Sequence, residues 1–581
     1  MQNLQLAAIF REMADLLELK GESVFKIRAY RRAAEQLEQL PEELGEVVRS
    51  GEIDRLPGFG KALAAKAREF VATGQVEAHQ RLLAEYPAQV LELLRVPGVG
   101  PKLADRLYRE AGVTSLDELE AAAREGRLRA LRGLGTRAEE RILAGIEALR
   151  RQGARKGIGE VLPQARWLAA QLEAIPVVER VAVAGSLRRW KETVKDADLV
   201  VTTSDAGALV ATLREAGLAE DVGGGEARVG VVLPTGLKAD LRVVEPIYFA
   251  SALHHFTGSK EHHLLLRERA RRQGLSISEY GIAQGDGAPE PVTSEEELYA
   301  RLGLAFIPPE LREGQDEVEL AEQGRLPRLL EGKDLRGDLH VHTDWSDGRA
   351  SLEAMVEAAR ARGYAYLAIC DHSPAVRVAG GLPPERLLAQ IERVRKLNES
   401  LDAFRVLVGA EVDILADGTL DYPDELLARL DWVVASIHSH MSQDAATLME
   451  RYRRALESPW VDAIGHPTGR LLGRREPMAV PVEALVELAA ERGVALEINA
   501  SPERLDLDSR WARLAARAGV PLVINTDAHH PDHLDFMEYG VGVARRAGLS
   551  PDQVVNAWEL SRLLDWIQSR RERAAGRRPG S

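Results

Sequence analysis

The chain has a single cysteine, Cys370, in 581 residues, so no disulfide can form within it and no zinc site built on several thiolates is available. It lacks any uninterrupted apolar run of about 18 residues, the length a membrane span requires. Met1-Gln2-Asn3-Leu4 is not a basic stretch leading into an apolar one, so secretion is not expected and a cytoplasmic location is. Lysine is scarce, with 12 residues against 64 arginines, which fits a GC-rich coding sequence. An excess of positive charge is missing too: the formal net charge is −14. Residues 1–150 carry 23 basic and 24 acidic side chains, 151–330 carry 22 and 27, and 331–581 carry 31 and 39. The acidity therefore gathers toward the C-terminus, where metal and phosphoryl-transfer chemistry needs carboxylates. A DNA contact can be local and made by backbone amides, so the global charge excludes little.

At this length about three or four domains are expected. Three glycine signals recur near the start: Leu56-Pro57-Gly58-Phe59-Gly60, Val96-Pro97-Gly98-Val99-Gly100 and Leu131-Arg132-Gly133-Leu134-Gly135. Each precedes a helical apolar pattern, which makes an internal repeat of helical units. A Gly-x-Gly turn between helices lets a phosphate reach backbone N–H groups at a helix N-terminus and grips DNA without reading its bases. A glycine turn can equally do no more than join two packed helices. Two copies with proline before the glycine favour DNA, at Gly58, Gly60, Gly98 and Gly100; the third copy lacks the proline and reads as structural.

From about 160 to 245 the period shifts toward strands, as in Val181-Ala182-Val183-Ala184 and Leu199-Val200-Val201. Here Gly185-Ser186-Leu187-Arg188-Arg189 leads to Asp196-Ala197-Asp198, with Asp240 on a later strand. Residues i and i+2 of a strand share a face, so Asp196 and Asp198 present two carboxylates together. Two divalent cations, Mg²⁺ or Mn²⁺, clamped by three carboxylates stabilise both oxygens of an in-line phosphoryl displacement. Ser186, Arg189 and the Gly185 backbone can then hold the β- and γ-phosphates of a nucleotide. Asp-x-Asp alone is weak evidence; with Gly-Ser at this distance it resembles the nucleotidyltransferase superfamily.

Residues 312–335 are polar and weakly periodic and read as a linker. Beyond them, apolar runs ending in polar residues alternate with helical stretches, the pattern of a βα barrel with its active residues at strand ends. His340, His342, His372, Glu411, His438, His466, Asp527 and His529 each sit at or just past such a run, with Asp347 in a loop. Nitrogen and oxygen donors without thiolate suit Mn²⁺ or Zn²⁺. Arg470 is a candidate phosphate contact or a surface arginine. His440, His530 and His533 fall outside the set, and Arg570-Arg571-Glu572-Arg573 opens an expected disordered tail.

Taken together these motifs resemble bacterial family X DNA polymerases, related to polymerase beta, that carry a C-terminal polymerase-and-histidinol-phosphatase (PHP) domain. Phe25-Lys26-Ile27-Arg28-Ala29-Tyr30 matches the stretch that holds the 5′-phosphate of a gap, which implies that role for Lys26 and Tyr30. Lys66 falls on the family's Schiff-base lysine for abasic-site processing, although Ala62 replaces a further lysine of eukaryotic relatives. The likeness continues through Phe256-Thr257-Gly258-Ser259. It implies that Phe256 and Gly258 line the nucleotide sugar, that His263 stands at the position touching the base, and that Arg267 reaches the minor groove. His255 replaces a tyrosine and His263 an asparagine.

In the barrel the resemblance implies a trinuclear site. His340, His342, Glu411 and Asp527 would bind one ion, Glu411, His438 and His466 a second, and Asp347, His372 and His529 a third. Its expected chemistry is metal-assisted attack of water on a phosphoester, as a 3′→5′ exonuclease.

The expected architecture is multidomain, α+β and α/β. It comprises a helix-hairpin-helix domain (1–85), a second such region (86–150), a nucleotidyltransferase palm (151–245) and a thumb-like subdomain (246–311). The linker, a distorted (βα)₇ PHP barrel (336–570) and a tail (571–581) follow. Expected partners are gapped or primed duplex DNA, deoxynucleoside triphosphates and repair proteins, with no membrane and a monomeric chain. Rival readings are a pure phosphoesterase whose palm only binds ends, and a non-catalytic scaffold bridging DNA ends; the intact carboxylates count against both.

Overall fold

The computed structural model describes residues 2–576 apart from 41–43, 57–58, 97, 132, 153–154, 204, 216–220, 226 and 286. Gly58 therefore lies outside the described residues. The chain divides into two compact units, one of 1–155, 210–225 and 229–239, the other of 156–209, 226–228 and 240–581. No helix of the described residues is long and apolar enough to cross a membrane.

The first unit is built on helices. Ser23 caps α2 (Val24–Gln39) by accepting from the Lys26 amide, and α2 packs on α1 (Gln2–Leu19) through Phe10 and Tyr30, whose rings meet edge to face at 5.6 Å. Three further helices, α3 (Lys61–Thr73), α4 (Pro101–Ala111) and α5 (Thr136–Gln152), each start directly after a glycine turn. Gly60 and Gly100 are the N-caps of α3 and α4. Gly98 and Gly133 both take φ +87°, which side-chain-bearing residues rarely adopt. The third turn thus repeats the backbone shape of the second, although it lacks the proline.

In the second unit β1 (Val178–Val183) pairs antiparallel with β2 (Ala197–Thr203), and β3 (Lys238–Val244) brings Asp240–Val244 to the other edge of β2. Two helices follow, α6 (Phe249–Thr257) and α7 (Lys260–Arg272). The C-terminal part is a sheet of seven parallel strands in sequential order: β4 (Gly337–Val341), β5 (Tyr366–Ile369), β6 (Arg405–Asp413), β7 (Trp432–Ser436), β8 (Ala463–Ile464), β9 (Ala495–Asn499) and β10 (Leu522–Asn525). A parallel bridge between Val341 and Ala528, with the His342 amide on the Ala528 carbonyl at 2.8 Å, brings the last strand back to the first. These strands are buried on both faces, which is why they read as continuous apolar runs rather than alternating ones.

Two expectations are corrected. The segment 312–335 is no free linker: Arg312, Glu317, Ala321, Leu329 and Leu330 are buried, and Glu317–Glu322 is helical. Its charges misled because they are paired inside. Arg312 donates to Glu295 and to the Ile307 carbonyl, and Glu317 to His262 is 2.8 Å. Nor does a disordered tail begin at 570. Helix α9 (Leu560–Ala575) runs through it, and Arg570 and Arg571 both clamp the buried carboxylate of Asp462 at 2.5 Å.

The helix Ile158–Glu173 and the connection 189–192 are seated on the barrel within this unit. Trp190, at φ +56°, lies against α8 (Met537–Ala547) where a Cβ on Gly542 would come within 2.4 Å of its ring. Arg166 reaches Glu538, and Arg470 reaches Glu192 at 2.9 Å. Replacing Arg570 and Arg571 together by alanine would strand the Asp462 charge in the interior, at about 3–5 kcal/mol. A fall of several degrees in thermal midpoint is expected, and an unchanged midpoint would contradict this account of the C-terminal helix.

Candidate active sites

The first site sits where β1 ends. Gly185 has φ +61°, and a Cβ there would lie 2.1 Å from Asp198 Oδ2, so only glycine lets the turn pass so close to the carboxylate. Asp198 in β2, Asp196 in the bend just before that strand and Asp240 on β3 lie close enough for their charges to interact. Burial, with Asp196 and Asp240 adding like charge, pushes the Asp198 carboxyl up to about 6. Three carboxylates gathered beside one turn are a donor set suited to divalent cations. Arg228 donates to Asp240 at 2.5 Å, a partner the sequence reading did not name.

Beside the carboxylates, Arg188 is spent on structure, donating to Thr257 Oγ1 at 2.7 Å and to Glu295. Arg189 turns to the C-terminal end of α6, where its Nη1 donates to the Thr257 carbonyl and would be 3.0 Å from a Cβ on Gly258. Phe256 is stacked under Arg242, 4.8 Å from its ring centroid, and beside His255 at 5.0 Å. His263 and Arg267 share one face of α7 at a four-residue interval. Burial pushes His263 down to about 4, with His255 adding to the effect, so this ring is neutral at physiological pH. The structure therefore brings Arg189, Phe256, Gly258 and His263 around one end of α6. Ser186 lies in the short helix Gly185–Arg188.

In the first unit Lys66 Nζ stands 6.0 Å from the Tyr30 ring centroid and donates to the Ala62 carbonyl. Lys26, at the start of α2, pairs with Glu22 at 3.2 Å. Nothing would meet a Cβ at Gly60, Gly98 or Gly100 within 4 Å, so the helix N-termini they precede are open to a ligand.

The barrel site gathers all nine expected donors at the C-terminal ends of the strands. Glu411 is central: its carboxylate lies 2.8 Å from His372 Nδ1, 2.9 Å from His466 Nε2, 3.2 Å from His438 Nε2, 3.5 Å from His340 Nε2 and 3.7 Å from His342 Nε2. Asp527 lies 3.1 Å from His342 Nε2, and Asp347 is 3.2 Å from His529 Nε2 and 3.7 Å from His372 Nε2. His340 Nε2, both nitrogens of His342, His372 Nδ1, His466 Nδ1 and Glu411 Oε2 are buried without a hydrogen-bond partner among the described residues. Leaving one such atom unpaired costs about 1–3 kcal/mol, so several of them gathered around Glu411 fit cations rather than a neutral core. The grouping differs from the expected one: His342 stands between two clusters, and His372 turns Nδ1 to Glu411 and His438 and Nε2 to Asp347.

Residues that sequence reasoning missed set the ring orientations. Glu497 takes His340 Nδ1 at 2.8 Å, the His466 amide at 2.5 Å and Asn525 Nδ2 at 2.9 Å, so His340 presents Nε2 to the site. Asp413 does the same for His438, and Asp371 holds the Asp347 loop through Thr343 and Ser346. A charged residue inside the buried run Ala495-Leu496-Glu497-Ile498 was the available signal. His466 at φ +26° and Asp527 at φ +56° are left-handed non-glycine residues, strain concentrated on two of the donors.

Arg470 does not face this site. Its guanidinium is spent on the Arg504 and Leu505 carbonyls and Glu192. Arg504, which the sequence reading passed over, does face it: Nε is 3.6 Å from Asp527 Oδ2, and Nη1 is buried without a partner among the described residues.

Comparison with known proteins follows the same division. Residues 1–76 match the helix-hairpin-helix domain, 90–148 the SAM-like helix-hairpin-helix tandem, 252–313 the DNA polymerase beta thumb and 338–501 the PHP domain. A DNA polymerase/3'-5' exonuclease PolX of Bacillus subtilis (strain 168) is 39% identical over 564 residues, 96% of this chain and 98% of its own length. The barrel region alone matches a probable phosphatase of Syntrophotalea carbinolica, 31% identical over 241 residues, 40% of this chain and 95% of that protein. A second probable phosphatase, from Thermoanaerobacter sp. (strain X514), is 26% identical over 251 residues, 41% of this chain and 97% of its own length.

The geometry makes Glu411 a shared donor and Asp347 a peripheral one. Elemental analysis of protein loaded with Mn²⁺ or Zn²⁺ should show a larger loss of bound metal for Glu411→Ala than for Asp347→Ala. Equal losses would remove Glu411 from the centre of the cluster.

Proposed function

Since the chain belongs to the bacterial family X DNA polymerases that end in a PHP domain, we propose that it fills short gaps in damaged DNA and trims 3′ ends, in the manner of base-excision repair. The observation that carries this reading is the presence, in one compact unit, of two complete sites of different chemistry. One has three mutually repelling carboxylates beside a glycine turn; the other has nine nitrogen and oxygen donors with unpaired buried atoms. Bound divalent cations, Mg²⁺ or Mn²⁺ at the carboxylates and Mn²⁺ or Zn²⁺ in the barrel, supply Lewis-acid stabilisation of charge developing on phosphoryl oxygens.

The chain's own residues do the positioning. Asp196, Asp198 and Asp240 fix the reacting end of the primer against the incoming nucleotide. Ser186, the Gly185 amide and Arg189 hold the triphosphate, Phe256 and Gly258 lie along the sugar, and His263 and Arg267 face the nascent pair. The open helix N-termini behind Gly58–Gly60 and Gly98–Gly100 grip the duplex backbone, and Lys26 with Tyr30 takes the 5′-phosphate of the gap. The Lys66 amine, beside Tyr30, supports abasic-site processing through a Schiff base.

In the barrel, Arg504 holds a non-bridging oxygen of the scissile phosphate. Its Nη1 is the one arginine nitrogen near Asp527 that is buried without a partner among the described residues. The whole-length match of the probable phosphatases to the barrel supports a phosphoesterase centre that operates apart from the palm.

The test is a labelled primer on a one-nucleotide gapped duplex with a 5′-phosphate, in Mg²⁺ or Mn²⁺, with and without nucleotides. Extension with nucleotides and 3′ shortening without them are expected. Asp198→Ala should abolish extension and spare shortening, and His342→Ala should do the reverse; joint loss in either variant would refute two separate sites. Arg504→Ala should slow shortening about a hundredfold, the scale of losing one charge-stabilising donor. Its bound metal should not change, and a variant that loses metal instead would make Arg504 structural.

A further inference from the structure

The nucleotide side of the palm is not finished by palm residues. Arg189 Nε donates to Glu313 at 3.1 Å, and Lys191 Nζ reaches the other oxygen of that carboxylate at 2.5 Å. Glu313 lies outside the palm, at the last residue matched to the thumb, and takes a third cation from the barrel. Arg546, on α8, donates through Nη1 to Glu313 at 3.0 Å and to the Arg189 carbonyl at 2.5 Å. Arg189 and Arg546 are both buried. Among the described residues no acceptor takes Arg189 Nη2, whereas Nε and Nη1 are both held. The barrel helix therefore orients both the backbone and the guanidinium of one palm residue.

Arg189, Lys191 and Arg546 share Glu313, while Glu261 and Asp198 also bear on Arg189 and Glu192 on Arg546. Surrounded by those cations, Glu313 stays ionised, pushed down to about 2 against the effect of its burial. The backbone is fixed at the same place by Trp190, one residue on, whose ring fills the space over Gly542 of α8.

We infer that Arg546 of the barrel is a positioning residue for nucleotide binding at the palm, acting through Glu313 and the Arg189 carbonyl to hold Arg189 toward the triphosphate. This rests on the reading of Arg189 as a triphosphate contact. The barrel thereby serves the polymerase site as scaffold as well as carrying its own site. Arg546 uses one terminal nitrogen for both bonds, so a lysine ammonium can stand in for it.

The experiment is steady-state gap filling by the full chain, with KM for the nucleotide separated from kcat, on Arg189→Ala, Arg546→Ala and Arg546→Lys. Arg546→Ala is expected to raise KM roughly ten-fold, the scale of one charge-assisted contact, with kcat within about two-fold. Arg546→Lys should recover most of the loss, and 3′ shortening should be unchanged in both. If Arg189→Ala raises KM and Arg546→Ala does not, the inference is overturned while the nucleotide site stands. If Arg189→Ala leaves KM unchanged, the nucleotide assignment fails and the inference with it. Should Arg546→Ala not fold, Arg546→Gln, which keeps the donor to the Arg189 carbonyl and loses the charge on Glu313, is read the same way.

Discussion

Parallel strands buried on both faces leave the barrel nowhere to place polar chemistry except where the strands stop. β4 to β10 are mostly apolar, and the polar residues they carry, among them His340 and Glu411, crowd together with Asp527 toward one rim. Burial that stabilises the fold also strips water from the donors, leaving several ring nitrogens unpaired. Carboxylates behind them, above all Glu497 and Asp413, then decide which nitrogen each ring offers. The hydrophobic core and the donor geometry are two results of one arrangement.

A second constraint is that arginine, not lysine, makes most of the long connections inside the larger unit. Arg470, Arg546 and Arg570 are each buried or nearly so, and each joins segments distant in sequence through carbonyls and carboxylates together. A planar guanidinium can satisfy several acceptors at fixed angles, which a single ammonium cannot. The composition's heavy use of arginine is thus structural as well as genomic. In this unit it converts what reads as a polar linker into packed structure.

Much of this was legible before any coordinates. The palm carboxylates could be read from the two-residue period of a strand and the Gly-Ser turn at fixed distance. The barrel donors could be read because each follows an apolar run. What failed depended on partners far along the chain. Arg470 and Arg504 look alike in sequence, and only the loop between β9 and β10 shows that one is consumed by carbonyls while the other faces Asp527. The segment 312–335 was misread because its buried charges are hydrogen-bonded to Glu295 and His262, which no local pattern reveals. The C-terminal arginines were misread for the same reason, their partner being Asp462, over a hundred residues earlier.

The seating of Trp190 against Gly542 bears on how such a chain can change over time. A side chain at 542 has no room while the indole occupies that place, and a smaller residue at 190 would leave a void over the helix. The two positions, 352 residues apart, can drift only as a pair. A barrel taken from a related chain would therefore bring the wrong surface to the palm unless position 190 came with it, so exchange of whole domains by recombination is restricted at a contact far from either set of reacting groups.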